Sequence, residues 1–168
     1  LSRIGSQETK SLIMGILIMR LNEYRSNSNI RHNSDLRHIT ILEEAHNILK
    51  RDSVEQSGEG GNVAGKSVEM ISNAIAEMRT YGESFIIVDQ SPSMLDSAAI
   101  RNTNTKIVLS LPDTEDRKVA GGSMSLSEEQ IDEIARQNQG EAIVYQNHWE
   151  EPVQCKVDRF EDYVNDYV

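Results

Sequence analysis

The sequence predicts an α/β fold in which a parallel sheet carries an antiparallel edge. Apolar runs of strand length, at about 37–43, 85–88 and 106–109, alternate with stretches of helical periodicity, the pattern of crossover-connected parallel strands. Two further runs, Ala142–Tyr145 and Val153–Val157, are joined through Asn147–Pro152 and read as a hairpin. The first run ends in two adjacent carboxylates, Glu43 and Glu44. Ligand sites in open α/β sheets lie at the carboxyl ends of strands, so these acids are the first functional candidates. A length of 168 residues suits one domain with a sizeable core, taken here as 1–168.

Each element has its own signal. Residues 7–25 read as a helix whose apolar residues, Leu12, Ile13, Ile16, Leu17, Met19, Leu21 and Tyr24, cover most of its circumference, so it is expected to be largely buried. Residues 26–35 are polar and read as a loop. Residues 50–66, rich in Lys, Arg, Ser, Glu and Gly, read as a second, mobile loop. Val68, Ile71, Ala74, Ile75 and Met78 then recur at helical spacing, and Gly82 ends that helix. Phe85–Val88 is a buried strand closing on Asp89-Gln90, and Pro92 opens a turn and a short helix to about Arg101. Near 126–131, Ser127 and Gln130 form a capping box flanked by Leu126 and Ile131 as a hydrophobic staple. Gly140 is a helix stop before the hairpin.

Composition narrows the function. Seventeen Lys and Arg face 27 Asp and Glu, a formal net charge of −10. Phosphate contacts need cations, so an acidic chain is a poor nucleic-acid binder by itself. The single cysteine, Cys155, cannot form an internal disulfide and reads as a small hydrophobe in a strand; the chain is expected to be cytoplasmic. The longest apolar run, Leu12–Met19, is too short to cross a bilayer, so no membrane insertion is expected. The sequence begins Leu1-Ser2-Arg3 without an initiator Met and reads as part of something longer.

Five motifs in order carry a family resemblance. Glu43-Glu44-Ala45-His46 resembles the Asp-Glu-Ala-His segment of the HerA/FtsK superfamily of P-loop ATPases. Glu77-Met78-Arg79-Thr80-Tyr81-Gly82, Phe85–Pro92, Arg101–Leu109 and Gly140–Val144 resemble further stretches of HerA-like enzymes in the same order. The likeness covers about residues 36–157 and extends to the ATPases of type IV secretion. It implies a RecA-like P-loop NTPase sheet, incomplete at the N-terminus because the P-loop strand is absent, with a C-terminal antiparallel hairpin. It further implies an ATP-hydrolysing ring, a homo-oligomer and by family habit a hexamer, that moves DNA with ATP and Mg2+ as cofactors. Glu44 matches the carboxylate that activates water in that family. Glu43 matches the metal-holding acid, usually Asp, Gln90 the γ-phosphate sensor, and Arg79 the arginine finger that acts on a neighbour's ATP. His46 is expected to be structural. The rival expectation keeps the fold and drops the chemistry: a noncatalytic α/β interaction module.

Gly60–Ser67 matches G-x-x-x-x-G-K-[ST] letter for letter. That motif needs a strand before it, and Lys50–Glu59 is polar and charged; it should also precede the acid-tipped strand. It is therefore read as a decoy, and the true phosphate cradle and its strand are expected upstream of Leu1. In RecA-like sheets that strand inserts between the strands placed at 85–89 and 106–110. The charge balance gives a first test. In an anisotropy titration at about 0.15 M salt the isolated chain should show no measurable duplex-DNA binding. Micromolar binding that weakens steeply with salt would show that a local basic patch, such as Arg31-His32, Arg37-His38 or Lys50-Arg51, outweighs the net charge.

Overall fold

β-Branched and aromatic side chains favour extended backbone where they can pack on a pleated surface. His38–Glu43 (β1) and Glu83–Val88 (β2) do so as a parallel pair, in register from His38 opposite Glu83 to Glu43 opposite Val88. The computed structural model describes residues 6–28, 33–50 and 59–159, and the chain divides into two units, 1–102 and 103–168.

In the first unit, α1 (Gln7–Asn27) starts at Ser6, whose hydroxyl accepts the Thr9 N–H. α2 (Glu59–Met78) packs along α1, and α3 (Ser97–Asn102) follows β2. One face of the strand pair supplies Leu42, Phe85 and Ile87 to a core with Ile18, Ala45, Ile48, Leu49, Met78, Leu95 and Ala99. The other face, with Ile39, Ile41, Ile86 and Val88, is exposed.

Two expectations need correction here. α1 is not largely buried: Leu12 is 65% and Tyr24 67% exposed, with Ile16 and Leu17 also open, because α2 covers one side and only Ile18 is fully enclosed. The helix expected from Val68 begins at Glu59 instead. Three glycines lower its intrinsic propensity, but the stripe of Ile71, Ala74, Ile75 and Met78 anchors it, and a helix fixed by packing propagates at little cost. The first part of the expected mobile loop, 51–58, lies outside the described residues, as do 29–32 of the polar loop.

The amino-terminal ends of β1 and β2 are tied by a buried carboxylate. The Glu83 side chain has no exposure, and Arg25 at the end of α1 donates to its Oε2 from Nε at 3.1 Å and Nη2 at 2.9 Å. Thr40 Oγ1 donates to Oε1 at 2.8 Å, and His38 Nδ1 shares that oxygen. Burial alone would raise the Glu83 pKa, but the hydrogen bonds from His38, Thr40 and Arg25 together outweigh it and hold the group below the usual glutamate value. Next to it, Gly82 turns the chain with φ +81, and a Cβ there would lie 2.3 Å from the Asp35 carbonyl oxygen.

In the second unit, β3 (Thr105–Val108), β4 (Glu141–Gln146) and β5 (Val153–Lys156) form an antiparallel sheet in the order β3-β4-β5. The hairpin is β4–β5, with Val144 opposite Val153, and half-buried Cys155 sits in β5 opposite Ala142. α4 (Thr114–Gly122) and α5 (Glu128–Glu133) are followed by the segments that supply Met124 and Ile134 to a core with Ile143, and Val108, Leu111, Leu126 and Tyr145 pack around it. The Ser127–Gln130 capping box is present in full. Asp113 caps α4 by accepting from the Glu115 and Asp116 N–H groups. Lys106 donates to the Thr103 carbonyl at 3.0 Å, and burial lowers its pKa. Ile107, Leu109 and Val153 remain exposed on this sheet.

Two stability experiments follow from the junction at β2. Gly82→Ala should lower the urea midpoint with an unchanged slope. A left-handed residue with a Cβ costs roughly 1–2 kcal/mol even before the clash with Asp35 is counted. Glu83→Gln should destabilise the fold by about 3 kcal/mol at neutral pH, since it leaves Arg25 without its counter-charge. The sign with pH is fixed by the lowered pKa. The stabilisation is complete above the unfolded value of about 4.3 and is lost as pH falls through the lower folded value. Denaturation curves of wild type and Glu83→Gln should therefore converge as the solution is acidified below about pH 4; a gap that stays constant would deny Glu83 its ionised role.

Candidate functional site

The β1–β2 register decides what meets what. Glu43 stands opposite Val88, so Glu44 follows β1 and Asp89-Gln90 follow β2 at the same carboxyl edge. Glu43, Glu44 and Gln90 are all exposed there. The structure thus brings three of the four site residues read from the sequence to one edge.

Glu44 is held in an uncommon conformation, left-handed at φ 50 and ψ 48. The chain then closes a 3₁₀ turn over Ala45–Asn47, with the Asn47 N–H on the Glu44 carbonyl at 3.0 Å and the Leu49 N–H on the Ala45 carbonyl at 2.8 Å. Buried Ala45, Ile48 and Leu49 seat the turn in the core. Asn47 Nδ2 donates to Glu44 Oε2 at 3.2 Å. The carboxylate projects from a rigid corner.

Asp89 braces this corner. Its side chain is only 3% exposed. It accepts the His46 N–H at 2.7 Å, His46 Nδ1 at 2.9 Å and the Ser91 N–H at 2.8 Å. His46 is structural in this geometry, its Nδ1 committed to Asp89. The sequence reading passed over Asp89. Its signal was present, an acid directly after a buried apolar run, but nothing local shows that it reaches residues 43 positions away.

Arg79 is not at this edge. It opens the 3₁₀ turn Arg79–Tyr81 between α2 and β2, at the end of the strand opposite Gln90. Six extended residues at roughly 3.3 Å each put it about 20 Å from the acids of its own chain. Its guanidinium is exposed and has no hydrogen bond or ion pair among the described residues. Tyr81 beside it is buried; that burial, and then the Glu77 carboxylate 3.4 Å from its hydroxyl, raise its pKa.

Gly60–Ser67 lies within α2. Backbone N–H groups inside a helix are bonded to carbonyls four residues back, so most of this segment has none to offer a phosphate. Among the described residues no group of three His, Cys, Asp or Glu is placed to hold a metal ion, and no helix is long and apolar enough to cross a membrane. Magnesium commonly keeps several waters and uses one or two carboxylates plus substrate phosphates, and exposed Glu43 fits that donor chemistry.

Comparison with known proteins agrees with the geometry. A DNA double-strand break repair helicase HerA from Sulfolobus acidocaldarius is 30% identical over 153 residues, covering 89% of this chain and 29% of the relative. VirB4 of Thermoanaerobacter pseudethanolicus superposes with a TM-score of 0.66 over 95% of this chain and 40% of VirB4, at 13% identity. Along most of its length the chain is thus similar to part of a HerA-type ATPase. It spans under a third of the length of the HerA relative, 29%. The genome packaging NTPase B204 of Sulfolobus turreted icosahedral virus 2, solved with AMP, gives a TM-score of 0.53 over 72% of this chain and 53% of B204, at 13% identity. At such identities the likeness is one of fold, that of P-loop NTPases. No family model matches the chain.

Proposed function

We propose that this chain is the water-activating half of an ATP-driven DNA motor that works as a ring, with six subunits as the family resemblance implies. The observation that carries the reading is the parallel register of β1 and β2, which sets Glu43, Glu44 and Gln90 on one edge and leaves Arg79 at the far end of β2. Glu44 takes the proton from the attacking water, and its fixed corner supplies orientation without reorganisation at the moment of reaction. Gln90 reads the γ-phosphate from the neighbouring strand. Glu43 would hold Mg2+, which would supply charge neutralisation on the phosphates. Arg79, too far from its own acids and without a side-chain partner among the described residues, serves the nucleotide of an adjacent subunit.

The phosphate cradle is then supplied by sequence outside these 168 residues, and Gly60–Ser67 stays a decoy because its backbone is helical. The open apolar face of Ile39, Ile41, Ile86 and Val88 supports this, since a doubly wound sheet is covered on both sides. Residues 1–168 act as one α/β domain of a cytoplasmic protein. DNA is gripped by the assembled ring, where many weak contacts gain effective concentration that a single acidic chain lacks.

The test is Glu44→Gln in the full-length protein. ATP binding should persist while turnover falls by about 10²- to 10⁴-fold, the usual worth of a general base. Mixing this variant with Arg79→Ala subunits should recover part of the activity, because some interfaces then pair an intact Glu44 with an intact Arg79. Near-normal turnover in Glu44→Gln would remove the carboxylate from the chemistry, and mixed rings without recovery would place Arg79 outside it.

A further inference from the structure

The Asp89 carboxylate is spent in two directions. Oδ2 accepts the backbone N–H of His46, two residues after Glu44, at 2.7 Å. Oδ1 accepts the backbone N–H of Ser91, one residue after Gln90, at 2.8 Å. The His46 ring lies across both oxygens, with Nδ1 at 2.9 and 3.1 Å. Each bond is charge-assisted, and the side chain is 3% exposed, so water competes little for it. Glu43 and Gln90 make no side-chain hydrogen bond among the described residues, and the one partner of the Glu44 carboxylate is Asn47 within its own turn.

We propose that Asp89 is the positioning residue of the site: its single carboxylate locks the turn carrying Glu44 to the turn carrying Gln90, so that water activator and phosphate sensor move as one body. This rests on the roles given above to Glu44 and Gln90. Beyond the last rung of the ladder, Glu43 opposite Val88, the two segments are joined again where the Asp96 N–H donates to the Leu49 carbonyl at 2.7 Å and Lys50 bridges Leu95, so the turns between these ties rely on side-chain contacts such as those of Asp89. Glu44 adds a reason to flex, because its left-handed backbone is unfavourable unless the following turn is held. Asp89 holds that turn by a backbone N–H, and it does so whichever residue stands at 46. The His46 ring adds a second contact to the same bracket and is the lesser part of it.

The experiment is made in the full-length protein with Asp89→Ala, Asp89→Asn and His46→Ala. Two readouts are taken: steady-state hydrolysis with kcat and KM for ATP separated, and hydrogen–deuterium exchange of peptides spanning 42–50 and 88–95. Asp89→Ala should lower kcat by about 100-fold, the cost of misplacing a reacting group by about 1 Å, with KM for ATP almost unchanged. Exchange should rise in both peptides together, although they are far apart in sequence. Asp89→Asn, which keeps one acceptor oxygen and the side-chain volume, should fall between Asp89→Ala and wild type in both readouts, and it carries the same test if the alanine variant fails to fold. His46→Ala should cost less than Asp89→Ala, because the backbone bond survives. Three results would overturn the proposal: exchange rising in one peptide only, exchange rising in both with kcat unchanged, or His46→Ala costing more than Asp89→Ala. Glu44→Gln run alongside separates the two ideas. If it retains turnover, the assignment of Glu44 has failed, and the exchange data still report whether Asp89 joins the turns.

Discussion

The parallel ladder between β1 and β2 is the constraint on which everything at this edge depends. Side chains alternate along a strand, so a slip of β1 by one residue would send Leu42 to the open face while Ile87 stayed on the core, and would carry Glu43 out of step with Val88. Hydrophobic pattern alone resists such a slip weakly here, because the open face is also apolar: Ile39 and Ile41 could substitute for Leu42 in kind. The register is pinned instead at the opposite end. Glu83 pairs with His38 across the ladder, bonds Thr40 two residues on, and takes Arg25 from α1. Each partner reaches the carboxylate only in the observed register. A buried ionic cluster is a poor source of net stability but a strong discriminator between near-equal packings, and that is its work in this unit.

What the sequence made legible was local. The strands 37–43 and 85–88, the Ser127–Gln130 capping box and the 142–157 hairpin were each written in a few adjacent residues, and each is present within a residue or two. The placement of Glu43 and Glu44 at a strand end was legible for the same reason. Features that depend on distant partners were not. α4 went unread because its core-facing signal is diluted by Asp, Glu, Arg and Lys and by Gly121-Gly122. Gly121 marks a close approach to Ile131, where a Cβ would meet Cγ1 at 2.5 Å, rather than the end of order. The apolar girth of α1 promised burial, but how much of a helix is covered depends on what lies around it. Asp89 looked like a polar corner because its partners are on another strand.

The two units share one design. Each sheet has a packed face and an apolar face left open, Ile86 and Val88 in the first unit, Ile107 and Leu109 in the second. This is a large exposed apolar surface for a chain with a net charge of −10. The charge keeps such a surface dispersed through mutual repulsion, and the apolar faces give added elements something to bury.

The left-handed corner at Glu44 sets a limit on what sequence change can improve. Glycine or asparagine would occupy that conformation at less cost, by roughly 1 kcal/mol for glycine, and neither carries a carboxylate. Under the role proposed for Glu44, position 44 is therefore a place where thermal robustness and chemistry select opposite residues. A directed evolution campaign scored on heat resistance alone would drift there toward glycine, gaining melting temperature while discarding the carboxylate.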